Sequence, residues 1–265
     1  MTGIRSWTTT CGEMPAFVTM PDADARVPCV IVMHERYGLV QHTRELAERF
    51  AHDGFAAIAP DFFFKHPDQD ALHRGASGCS ISDREAVAGL NCAIGALHTV
   101  PCADTARLAV MGVCQTGRHP LVLAATRKIA AALVWYGSAQ PREWKVDSNY
   151  TRPLEDIIAA VNCPVLGMFG EADHLISIDD VRRFRDCLER HRKSYSIHIY
   201  RDAPHGWLND TMPGRYRRAQ AEAAWAEQRA FLHQVLAPDY DGARTQRYAA
   251  DIASDYDFSR NVRME

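Results

Sequence analysis

Apolar runs rich in β-branched residues alternate along this chain with longer stretches whose apolar positions recur every three or four residues. "CVIVMHE" (29–35) is almost continuously apolar, the pattern of a strand buried on both faces. "TRELAERFAHDG" (43–54) has helical spacing closed by Gly54, and "FAAIAPDFF" (55–63) reads as the next strand. A helix follows over 83–97, and strands are expected at 106–114, 131–137, 163–173 and 194–206. Helical patterns occupy 152–161 and 178–192, and "YRRAQAEAAWAEQRAFLHQVL" (216–236) closes the series. Apolar strands separated by helices predict an α/β fold: a mostly parallel, doubly wound sheet with helices on both faces.

Two stretches break the rhythm. Residues 64–82 are polar and weakly periodic, as expected of an excursion over the ligand-binding edge of the sheet. Residues 237–265 are charged and aromatic with no clear apolar face. They read as an extension beyond a domain spanning 1–236, with disorder or packing on a second copy in a homodimer as the two expectations.

The bulk numbers narrow the function. With 265 residues, 47% hydrophobic, the chain can bury one large core. A net charge of −3 with interspersed signs gives no electrostatic reason to expect nucleic acid. No apolar run approaches the roughly 18 residues of a membrane span, and the first residues lack the apolar core of a secretory signal. The expected location is therefore the cytoplasm. Eight cysteines include no Cys-x-x-Cys pair and no zinc-like His/Cys spacing, so neither a metal nor another cofactor is expected.

Candidate chemistry sits where strands end. Cys114 ends one expected strand in "VMGVCQTG", Asp173 follows another, and His205 follows a third in "DAPHGW". Nucleophile, acid, histidine is the chain order of the α/β-hydrolase arrangement. A sharp strand–nucleophile–helix elbow needs small neighbours, which Gly112, Thr116 and Gly117 supply. In such a trio His205 takes the thiol proton and Asp173 orients the imidazole. The backbone N–H groups of Gln115 and Arg36 are the candidate oxyanion donors. Each residue also has a bland reading: buried filler for Cys114, a turn acid for Asp173 with Glu171 in competition, and a surface histidine for His205.

Taken together, "IVMHERYGL", "AAIAPDFF", "VMGVCQTG", "LVWYG", "MFGEADHLI" and "DAPHGW" resemble the successive landmarks of the dienelactone hydrolase family over about residues 12–236. The resemblance implies a hydrolase of small lactones or carboxylic esters, working through Cys114, Asp173 and His205 and a thioester acyl-enzyme. It also implies that Glu35 contacts the resting thiol and gates its ionisation; the alternative is a buried acid paired with Arg36. The chain departs from the family at Thr116, where glycine is usual, and at Arg118 and Pro120. Asn209 stands where the family's lactone-cleaving members place a carboxylate-binding arginine, and Arg74 is the candidate replacement for their second one. Trp207 and Tyr37, with Phe62 to Phe64, are candidate pocket walls, core packing being the alternative. Other readings are a thioesterase, acyltransferase or C–C hydrolase, or a non-catalytic ligand-binding protein on the same scaffold.

Overall fold

The computed structural model describes residues 3–265. Among them nine strands form one sheet, in the order β1-β2-β4-β3-β5-β6-β7-β8-β9. These are β1 (Ile4–Cys11), β2 (Met14–Pro21), β3 (Val27–Met33), β4 (Ala56–Pro60), β5 (Ala103–Val113), β6 (Ala131–Trp135), β7 (Val165–Gly170), β8 (Tyr195–Tyr200) and β9 (Gln246–Ala250). Strands β3 to β9 are parallel, while β1 and β2 form an antiparallel hairpin, with β2 also antiparallel to β4. The mostly parallel sheet is the one the alternating pattern predicts, and the fold is the α/β-hydrolase fold that the family resemblance implies.

Successive strand residues serve opposite faces. Val30 and Val32 of β3 point into one core with α1 (Gln41–His52) and α7 (Arg218–Val235), which contribute Leu46, Phe50, Trp225 and Leu232. Ile31 and Met33 point into the other, with α3 (Asp83–Leu97), α4 (His119–Ala124), α5 (Leu154–Ala160) and α6 (Ile178–Arg190), through residues such as Leu90, Leu121, Ile157 and Phe184. Burial on both faces is why these strands lack polar alternation. A short helix, α2 (Gln69–His73), lies within the polar excursion after β4. No helix among the described residues is long and apolar enough to cross a membrane.

Two elements lie outside the sequence-based expectation. The β1–β2 hairpin, turned at Gly12 (φ +63°), carries no continuous apolar signal because β1 is largely exposed and mixes polar with apolar positions. The extension 237–265 runs along its own chain. Its strand β9 pairs with β8 from Tyr195↔Gln246 to Ile199↔Ala250, so the sheet edge itself orders a segment with little apolar content.

Candidate active site

Strand β5 ends at Val113, and the chain reverses at once into a single 3₁₀ turn, Cys114–Thr116. Cys114 carries φ +56°, a left-handed conformation that side chains rarely adopt, so its thiol is thrust up from the carboxyl edge of the sheet. The bend is tight because glycines meet there. A Cβ on Gly112 would lie 2.4 Å from the Thr116 carbonyl, and one on Gly117 would lie 2.7 Å from the Cα of Gly137. Gly137, which follows β6, is the glycine that sequence inspection missed; its own Cβ would lie 2.4 Å from the Cys114 carbonyl oxygen.

Thr116 does more than fit the bend. Its hydroxyl accepts from the Val113 N–H at 3.0 Å and donates to the His34 carbonyl at 2.9 Å, tying the elbow to the end of β3. Thr116→Val keeps the shape and leaves two buried partners unmatched, so a loss of about 1–3 kcal/mol in unfolding free energy is expected. Urea denaturation of the two proteins measures it.

Three loops converge on the thiol. His205 Nε2 lies 3.0 Å from Cys114 Sγ, and His205 Nδ1 lies 2.8 Å from Asp173 Oδ2. The second oxygen of Asp173 accepts from the amides of Leu175 at 2.7 Å and Ile176 at 3.2 Å, which fixes the carboxylate in its own turn. Burial opposes a charge on His205, but the Asp173 carboxylate and the Cys114 sulfur outweigh it. The ring's pKa therefore stands well above the ordinary histidine value. Glu171, the competing acid, faces elsewhere and accepts from the Asp202 amide at 3.1 Å. In the first turn after the strand, the Gln115 amide has no helical carbonyl behind it, whereas the Gly117 amide donates to the Cys114 carbonyl at 3.1 Å.

The end of β3 supplies the opposite wall. His34 is buried; its Nε2 accepts from the Phe62 amide at 3.0 Å, so Nδ1 carries the proton and donates to the Glu35 carbonyl at 2.7 Å. This holds the Glu35–Arg36 backbone in place. One Glu35 oxygen accepts from Tyr136 Oη at 3.2 Å and the other from Asn209 Nδ2 at 2.7 Å. Tyr136, not singled out from the sequence, packs 5.3 Å from the His205 ring. Burial and the Glu35 charge hold its hydroxyl pKa well above the ordinary tyrosine value, which keeps it a donor.

Residues 14–236 match the sequence model of the Dienelactone hydrolase family. The chain belongs to the dienelactone hydrolase family. It is 31% identical over 237 residues to a Salmonella typhimurium protein named "Putative carboxymethylenebutenolidase", covering 84% of this chain and 83% of that one. A Bradyrhizobium protein named "Probable 2-oxo-3-(5-oxofuran-2-ylidene)propanoate lactonase" is 27% identical over 215 residues, covering 79% of this chain and 85% of that one. A crystal structure of a "Putative Dienelactone Hydrolase" from Klebsiella pneumoniae superposes with a TM-score of 0.78 at 28% identity, over 88% of this chain and 99% of that one.

Within this member of the family, several expected pocket residues are placed differently. Trp207 is fully buried, 5.3 Å from Trp135 and 5.1 Å from Tyr200, because Gly206 (φ +87°) turns the chain and directs the indole into the core. It therefore lines no pocket. Asn209 serves Glu35 through its amide, and Arg74 is an exposed cap of α2 with no described contact to Cys114, His205 or Asp173. Glu35 pairs with neither Arg36 nor the thiol. The thiol's hydrogen bond is to His205, and the Arg36 guanidinium donates to the carbonyls of Gly75 at 3.4 Å and Ser77 at 3.3 Å. Tyr37 is nearly buried, its hydroxyl 3.7 Å from Met212 Sδ and its ring beneath Arg36.

Among the described residues, two clusters have side chains close enough to share an ion: His42–Glu45–Asp210 and Glu155–Cys187–His191. Neither includes Cys114, His205 or Asp173.

Proposed function

We propose that this hydrolase cleaves a small lactone or carboxylic ester through Cys114, His205 and Asp173. The observation that carries the reading is the continuous hydrogen-bonded line from the Cys114 sulfur through His205 to Asp173, with the nucleophile raised on a strained elbow. The Cys114 proton passes to His205, and the sulfur adds to the substrate carbonyl carbon. The resulting oxyanion is received by the amides of Gln115 and Arg36. Collapse breaks the carbon–oxygen bond of the ester, and His205 returns its proton to the departing oxygen, leaving a thioester. Water then loses a proton to His205 and adds to the thioester carbonyl. Expulsion of the Cys114 sulfur releases the acid and restores the enzyme.

Glu35 takes the role of a thiol gate. With its oxygens held by Tyr136 and Asn209 it leaves the thiol to His205, which is the reactive pairing. Release from those partners would free Glu35 to turn back to the thiol. The relatives' names support lactones as substrates. Asn209's engagement with Glu35 and the exposed position of Arg74 favour a second reading, in which the substrate is an uncharged ester or thioester rather than a carboxylate-bearing lactone.

The test is turnover of cis- and trans-dienelactone, simple lactones, short p-nitrophenyl esters and an acyl thioester, by wild type and by Cys114→Ala. Mass spectrometry of rapidly quenched wild type should find the acyl group on the peptide bearing Cys114. Dienelactone turnover lost in the variant supports the first reading, and turnover confined to uncharged substrates supports the second. Hydrolysis that persists in Cys114→Ala would sink both.

A further inference from the structure

The family match stops at residue 236, yet the next 29 residues reach back to the acid loop. After β9, the Asp251 amide donates to the Ile199 carbonyl at 3.1 Å and the Ala253 amide donates to the buried Glu171 carboxylate. Tyr256 Oη accepts from the first amide of α6, Ile178, at 3.1 Å. A 3₁₀ turn, Phe258–Arg260, then delivers Asn261. Its Nδ2 donates to the Glu171 carbonyl at 2.9 Å and to the Asp173 carbonyl at 3.0 Å. Three residues on, the Met264 carbonyl accepts from Arg215 Nε at 2.6 Å. Arg215 in turn packs its Cδ 3.2 Å from where a side chain on Gly206 would begin, beside His205.

From these contacts we propose that residues 251–265 are an intramolecular strap that positions the Asp173–His205 pair, with Asn261 as its principal positioning residue. The chemistry favours this over packing alone. Asn261 spends both amide hydrogens on the backbone of the two acidic residues of one loop, one of them the partner of His205. Glu171 explains why that loop has two acids. Its carboxylate joins the strap at Ala253 to the turn at Asp202, three residues before His205. The strap therefore touches the acid loop at two points and the histidine loop at one. Loops are less exact supports than strands, so a site assembled from them depends on such second contacts.

The strap rests on the pairing of Cys114 with His205 used in the proposed function, but its test needs no substrate. The rate of Cys114 alkylation by iodoacetamide, followed on its own peptide by mass spectrometry from pH 5.5 to 9, reports how well Asp173 holds His205 against the thiol. In Asn261→Ala and in the isosteric Asn261→Asp, which turns an acceptor toward two carbonyls, the rate at pH 6 should fall about tenfold. The profile should move toward that of a free thiol. A side chain that only packs would be replaced by aspartate without change in the profile, whatever happened to the thermal midpoint. Wild-type profiles in both variants would overturn the strap, as would a wild type whose Cys114 already behaves as a free thiol. Failure of the hydrolysis reading shows separately, as a reactive Cys114 in a protein that turns over none of the substrate panel.

Discussion

His205→Asn is expected to lower turnover at least about a thousandfold and to change how Cys114 responds to pH. In the wild type the imidazole lies between the sulfur and the Asp173 carboxylate, 3.0 Å from one and 2.8 Å from the other. Burial opposes its charge, the Asp173 carboxylate and the Cys114 sulfur favour it, and these neighbours win, so the ring holds a proton well above the ordinary histidine range. Alkylation of wild-type Cys114 should therefore stay fast and nearly flat through neutral pH, with His205 carrying the thiol's proton. In the asparagine variant no base is left beside the sulfur. The rate should fall at pH 6 and climb with pH as a free cysteine's does, around about 8.5. Stability should follow the same group. A histidine whose pKa rises on folding stabilises the fold fully below its unfolded value of about 6.5, and that contribution is lost as pH climbs through the raised folded-state value. The thermal midpoint of wild type should exceed that of the variant most at pH 6, with the gap narrowing in alkaline solution. An alkylation profile identical in the two proteins would remove His205 from the mechanism.

Cys114, Asp173 and His205 were legible because each follows a continuously apolar strand, and parallel strands bring their carboxyl ends to one edge. The elbow was legible for a related reason: Gly112 and Gly117 are close in sequence to the residue whose backbone they accommodate. What stayed hidden was chemistry made across long sequence separations. Gly137 touches the elbow from another strand, Tyr136 reaches Glu35 from 101 residues away, and Asn261 reaches Asp173 from 88. Such contacts leave no local period. For Trp207 sequence proximity misleads: two residues from His205, it is sent into the core by the left-handed turn at Gly206. Strand β9 carries "QRYAA", which has no apolar run to announce it, since an edge strand needs only main-chain partners on one side.

Arg118 is the residue whose loss should cost the most stability. Just after the elbow, where the family resemblance implies a small residue, this chain buries a guanidinium. Its Nε and Nη2 donate to the two oxygens of Asp83 at 2.9 and 3.1 Å, Nη1 donates to the Glu143 carbonyl at 3.2 Å, and the group stacks 4.4 Å from the Tyr150 ring. One side chain thus ties the start of α4 to the first residue of α3 and to the loop between β6 and α5. Arg118→Met would leave Asp83 buried with only the amide and hydroxyl of Thr151 for company. Removing one partner of a buried pair costs about 3–5 kcal/mol, against at most about 1 for an exposed pair such as Arg49–Glu222. For a domain of this size that is a fall of roughly 6–20 °C in thermal midpoint. The pH dependence has a definite sign. Burial already pushes the Glu143 carboxyl up to about 7, with Arg118 the foremost charge restraining it. An acid whose pKa rises on folding costs stability as pH climbs from its unfolded to its folded value, and losing Arg118 extends that window for Glu143 upward. The deficit of Arg118→Met should therefore be larger at pH 8 than at pH 5. Adding Asp83→Leu should recover part of the loss at pH 8, because the unpaired buried charge is gone. A midpoint unchanged in Arg118→Met would show that this network is no more than a surface ion pair in energy.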